Sequence, residues 1–229
     1  IARPDGACER IGCGALILAC NGYGGNPELI RRHIPEMAEA LYFGHPGNRG
    51  DAVRWGEALG AGIQHMTAYQ GHGSVAHPHG VLITWAVITE GGIQVNADGR
   101  RFANEATGYS EQAVPVLAQP GGFAWSVYAA PQDMVARQFE DYRNAGAIGA
   151  LKTAGSVSEL ERVLALPPGS LADTLDGVSR MARGEVEDPL GRVFDERSLL
   201  KPPFFGAKVT GALFHTQGGL VIDAMAQVL

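Results

Sequence analysis

The 229 residues are enough for one large domain or two modest ones around a buried core. Apolar residues make up 45% and charged residues 18%, which excludes intrinsic disorder. The net charge of −6, with Lys and Arg scattered, argues against a nucleic-acid surface, which needs a basic face to neutralise phosphates.

Cys8, Cys13 and Cys20 are odd in number and lack the close paired spacing of a zinc site, so inert thiols are expected. Such thiols suit a reducing, cytoplasmic setting; no secretory leader is recognisable, and no apolar run nears the roughly 20 residues that span a bilayer. The first element expected is the apolar run Ala15, Leu16, Ile17, Leu18, Ala19, Cys20, a strand covered on both faces. It ends in Asn21-Gly22-Tyr23-Gly24-Gly25, and Asn26, Pro27 and Glu28 then supply a cap, a first-turn proline and an acid for a helix to about residue 39. A loop over 44–50 precedes a second helix over 51–59, closed by Gly60.

Residues 67–80 read as an irregular, histidine-rich loop, and 81–87 as a strand or a buried helix. Asp98-Gly99 between the apolar stretches 93–96 and 101–103 signals a hairpin. A strand is expected over 122–128. Ser156 and Glu159 form a capping box for a helix to about residue 165, and Ser170 caps another with Leu171, Leu175, Val178 and Met181 on one face. A polar stretch over 185–203 leads to an extended segment near 208–213 and a last strand over 220–223. Residue by residue this is an α+β chain with a loop rich in His and Gly.

His72, His77 and His79 raise a metal-dependent hydrolase, but the glycines and Pro78 around them give no rigid frame, and no metal is expected. The turn after Cys20 is suited to a phosphate at the next helix N-terminus, yet its spacing is not that of a dinucleotide fingerprint. No Walker loop and no GxSxG elbow is present.

Four blocks in order say more. They are residues 15–26; Asn48-Arg49-Gly50-Asp51 with Gln70-Gly71-His72; Leu82-Ile83-Thr84 with the stretch 94–105 ending Arg101-Phe102-Ala103-Asn104-Glu105; and Phe214-His215-Thr216-Gln217-Gly218-Gly219. With Asp188-Pro189-Leu190-Gly191-Arg192, they resemble the flavoproteins that include fumarate reductase, succinate dehydrogenase, urocanate reductase and 3-ketosteroid dehydrogenase. The resemblance implies an α+β substrate-capping domain of the succinate dehydrogenase/fumarate reductase flavoprotein type over 67–216, with partial α/β flavin-domain segments over 1–66 and 217–229. It implies FAD as cofactor in a full-length parent. The N-terminal fingerprint and a C-terminal arginine would lie outside these residues, so the piece alone is expected to be flavin-free and inactive.

By the same resemblance His72 and Thr84 fall where a substrate carboxylate is bound, and His215 where the second carboxylate is held. Asn21, Gly22, Gly218 and Gly219 would border the cofactor. Trp85 stands in place of a glutamate and Ile88 in place of an arginine of the proton-delivery chain, so a charged relay cannot run there. Tyr109 replaces the proton-donor arginine and resembles the catalytic tyrosine of the ketosteroid dehydrogenases. The implied activity is hydride transfer at a carbon–carbon bond next to an activating group. Trp85 and the histidines together suggest a carboxylate substrate with an apolar part. A ligand-binding module that keeps the cap fold without catalysis is the alternative.

Overall fold

The computed structural model describes residues 2–229. Its centre is one long strand, β8 (Phe204–Thr216), which is buried along most of its length because small or apolar residues occupy both faces. Four strands pair with it. On one edge lie β6 (Phe123–Ala129), against 204–210, and the parallel β1 (Leu41–Tyr42), against Ala212 and Leu213. On the other lie β7 (Leu151–Ala154), against 204–207, and β3 (Tyr69–Ala76), against 209–216. Short strands β4 (Val81–Leu82) and β5 (Ile93–Val95) complete the seven-stranded sheet beyond β3 and β6.

Helices cover this sheet in segregated groups, which makes the fold mixed α+β. Around α5 (Ala130–Ala136) and α6 (Glu140–Ala147), Tyr128, Tyr142 and Phe205 fill one core. A second core lies under α7 (Val157–Leu164) and α8 (Ser170–Ala182), where Leu160, Leu171 and Val178 meet Phe204. A third joins α1 (Pro27–His33) and α4 (Ala113–Leu117) to the large sheet, with Tyr23, Ile30 and Met37 packed with Ala113 and Leu213. A separate two-stranded ladder pairs β2 (Ile63–Gln64) with β9 (Gly219–Leu220), so the chain enters and leaves the large sheet side by side.

Several expectations hold. Asn26 accepts from the backbone N–H groups of Glu28 and Leu29, and α2 (Asp51–Ala58) ends before Gly60. Half of the expected capping box forms: the Ser156 hydroxyl accepts from Glu159 N–H, while the Glu159 carboxylate accepts from Gly155 N–H rather than Ser156 N–H. Others are corrected. Pro35 stops α1 early, and a 3₁₀ turn over Pro35–Met37 replaces its second half. Gly169, not Ser170, is the N-cap of α8, while the Ser170 hydroxyl donates to Pro167 O at 2.7 Å. The Asp98-Gly99 turn forms, but its second arm is no strand; β5 pairs with β6 instead. The stretch 81–87 divides between β4 and the first half of the short helix α3 (Ala86–Thr89).

Two differences matter for the site. Residues 67–80, expected as a loop, contain the eight-residue strand β3. The run at 15–20, expected as a covered strand, is in no strand, and Leu16 and Ile17 are 72% and 87% exposed. An apolar run becomes a strand only with a ladder partner, and among the described residues none pairs with it. Among the described residues no helix is long and apolar enough to cross a membrane.

Candidate active site

β3 carries the site because its glycines let another segment lie against it. A Cβ at Gly71 would meet that of Ala113 at 2.8 Å, and one at Gly73 would meet the Gln112 backbone at 2.8 Å. Side chains there would lift the 108–113 segment off the strand. It is instead tied down by Gly73 N–H donating to Tyr109 O at 2.8 Å and Gly71 N–H donating to the Ser110 hydroxyl at 2.9 Å. The β3–β8 register shifts between His72 and Val75, a bulge that re-aims the His72 ring.

The Tyr109 and His72 rings consequently stack, 4.9 Å between centroids and 20° from parallel. Phe214, near the end of β8, also stacks on His72, 5.1 Å between centroids and 16° from parallel, and Phe43 stacks on Phe214 at 4.9 Å. The Trp85 ring meets His72 edge-on at 5.9 Å. His72 is thus 5% exposed, while Tyr109 at the open end of the column is 39% exposed. The Tyr109 hydroxyl accepts a hydrogen bond from Gln70 Nε2 at 3.0 Å.

His72 Nδ1 accepts from Ser74 N–H at 3.2 Å, which places the proton of the neutral ring on Nε2. Burial pushes its pKa down to about 4, so at neutral pH it is an uncharged donor. The linkage has a definite sign. Between about 6.5 and about 4 the unfolded chain takes up a proton that the folded chain refuses, so stability falls as pH drops through that window. Urea unfolding at pH 7 and 4.5 should show roughly 3 kcal/mol or less of loss from this group. His72→Gln should flatten that part of the profile; an unchanged profile would remove the neutral-histidine assignment.

The other expected residues are placed unevenly. Thr84 is buried, its hydroxyl accepting from Ala86 N–H at 3.3 Å, one residue from Trp85. His215 is exposed and sits opposite Gln70 in the ladder. Asn21 has φ 59° and accepts from Gly22 N–H at 2.7 Å. Any side chain at Gly22 would strike the Thr216 hydroxyl, and one at Gly218 the carbonyl of His65, so protein packing alone requires glycine at both. Gly219 faces open space. Tyr23 N–H donates to Thr216 Oγ1 at 3.1 Å, bringing the two glycine turns together.

His77 and His79 lie exposed in the β3–β4 turn, away from the buried His72 ring. Among the described residues no three His, Cys, Asp or Glu side chains converge to hold a metal ion.

Trp85 and Ile88 line a cleft of about 310 Å³ whose wall includes Gly108, Glu105 and Arg192. Behind that wall is a buried ionic knot. Arg101 bonds both oxygens of Glu105, at 3.0 and 2.7 Å, and both of Asp188, at 2.9 and 3.0 Å. Arg192 reaches Glu105 at 3.3 Å and donates to the carbonyls of Gly92 and Ile88. Both guanidinium groups lie 4.6 Å from the Phe194 ring centre. The Arg101–Glu105 and Asp188–Arg192 segments are thereby joined.

Gln70, Phe214 and Phe43 were not singled out as site residues from the sequence. Gln70 and Phe214 adjoin or flank His72 and His215 in the quoted blocks, and that proximity was the available signal.

Fold and site together define a mixed α+β unit with an aromatic-walled pocket. Residues 3–229 match the family described as the FAD binding domain. The chain belongs to that family. A probable fumarate reductase of Shewanella frigidimarina is 27% identical over 219 residues, covering 96% of this chain and 37% of that protein. A 3-oxosteroid 1-dehydrogenase of Mycobacterium tuberculosis is 24% identical, covering 93% of this chain and 44% of that protein. The open conformation of a flavocytochrome c3 fumarate reductase superposes with a TM-score of 0.76 at 27% identity, over 92% of this chain and 37% of that one. The chain therefore spans little more than a third of either of these two fumarate reductases.

Proposed function

We propose that this chain is the substrate-capping part of an FAD-dependent oxidoreductase acting on a carbon–carbon bond next to an activating group. The observation that carries the reading is the exposed Tyr109 phenol stacked on a neutral, tautomer-fixed His72 in a chain of the FAD binding domain family. Residues 67–216 form the cap, and 1–66 with 217–229 belong to the flavin side. The ladder between Ile63–Gln64 and Gly219–Leu220, just outside those limits, supports the division.

The chain offers one wall for the cofactor: the adjoining turns at Asn21-Gly22 and Gly218-Gly219, with Gly219 facing open space. FAD held there would supply the hydride chemistry. The residues present do the rest. Tyr109 moves a proton at its phenol oxygen. His72 Nε2–H, Thr84 and His215 orient the activating group, and Trp85 and Phe214 face the substrate's body. Uncharged aromatic surface beside hydrogen-bond donors fits a carboxylate that carries an apolar part better than a small dicarboxylate.

The visible spectrum of the full-length flavoprotein, before and after anaerobic reduction, tests this. A bleachable flavin band is expected, with cinnamate reoxidising the reduced form, or its saturated counterpart reducing the oxidised form, faster than the fumarate–succinate pair. A colourless protein that refuses added FAD would instead favour a binding module. Reaction with fumarate or succinate alone would overturn the substrate class.

A further inference from the structure

We propose that Gln70 is the positioning residue for Tyr109, holding its phenol oxygen from the β3 side so that the hydroxyl proton is left for the substrate. The inference rests on the reading of Tyr109 given above and names the device that makes it work.

The phenol is held at three places. Its ring is fixed by the His72 stack, and its backbone carbonyl by Gly73 N–H. Its oxygen is fixed by Gln70 Nε2 at 3.0 Å. An amide N–H can only donate, so it occupies a lone pair of the phenol and leaves the O–H free. Among the described residues that O–H has no protein acceptor. The same amide donates more strongly once the phenol has released its proton, because a hydrogen bond to an anion is about twice as strong as a neutral one. Gln70 therefore helps in either direction: it aims the proton while Tyr109 holds it and steadies the oxygen after it leaves.

The strand gives Gln70 its place. It lies opposite His215 in the β3–β8 ladder, and the register shifts between Gln70 and Gly71. The bulge sits directly beside the residue that must reach across to the 108–113 segment.

Two measurements on the full-length flavoprotein test the proposal. The first needs no substrate: 3-fluorotyrosine placed at position 109 should give one narrow ¹⁹F resonance that moves by more than its line width in Gln70→Leu. An unmoved resonance overturns the proposal. The second uses turnover of whichever panel acid reacts. Gln70→Leu should lower kcat about tenfold with KM little changed, as expected for a lost hydrogen bond to a developing charge. Gln70→Glu, which places an acceptor and a charge there, should lose at least as much, whereas Gln70→His, which restores an N–H, should recover most of it. In a Tyr109→Phe background Gln70→Leu should cost nothing further. An equal loss in that background would mark a general structural effect and sink the proposal. Near-normal turnover of Tyr109→Phe alone would show instead that the reading of Tyr109 has failed, before any Gln70 variant is judged.

Discussion

Tyr109→Phe in the full-length flavoprotein should lower kcat by about 10² to 10⁴, the usual worth of a positioned proton-transfer group, with the flavin spectrum unchanged. The substitution removes one oxygen and leaves the ring on His72, so the 4.9 Å stack and the tie from Gly73 to the Tyr109 backbone survive. A phenol is a weak acid, so its use in proton transfer depends on partners that hold its oxygen. Gln70 is the partner present. Steady-state turnover and the rate of flavin reduction or reoxidation report the effect together. Turnover within a few-fold of wild type would make Tyr109 a wall of the pocket and nothing more.

The second large effect concerns stability. Glu105→Gln should destabilise the fold by about 3–5 kcal/mol, because it removes the charge shared by Arg101 and Arg192 and leaves two buried guanidinium groups with Asp188 alone. Arg162→Ala, which breaks an exposed pair with Glu159 at 3.9 Å, should change stability by no more than about 1 kcal/mol. Urea unfolding of both variants makes the comparison, and equal effects would refute the ranking. Burial works to raise the Asp188 pKa, but hydrogen bonds from Arg101 and from Arg192 N–H outweigh it and hold the carboxyl below its ordinary range. A depressed carboxyl stabilises the fold above its unfolded pKa, and that contribution fades as pH falls through the lowered folded value. Acid should therefore begin to cost the Asp188 contribution below its unfolded value and remove it once the folded carboxyl itself protonates.

Local chemistry was legible where one residue decides it. Asn26 and Ser156 cap helices through their own side chains, and both caps are seen. β3 was hidden because Gly71 and Gly73 look like loop residues in one dimension, although the 108–113 segment requires them at that distance. The run at 15–20 misled in the opposite sense: its hydrophobicity describes a covered strand, but covering needs neighbours that pattern alone does not provide. The family resemblance named His72, Trp85 and Tyr109 as candidates, and the structure stacks or abuts their rings. The His72 tautomer, the Phe214–Phe43 column and the Gln70 contact could not be read that way. Gln70 and Tyr109 are 39 positions apart, and only the fold of β3 against the 108–113 segment brings their side chains together.

The central position of β8 also sets an order of assembly. β1, β3, β6 and β7 all precede residues 204–216 in the chain, and each finds its principal ladder there. Before that segment emerges from the ribosome they have almost no strand to pair with, apart from β3 with the short β4 and β6 with the short β5. The sheet must close late, through contacts of long sequence separation, and its apolar strands spend that interval open to mispairing and to chaperones.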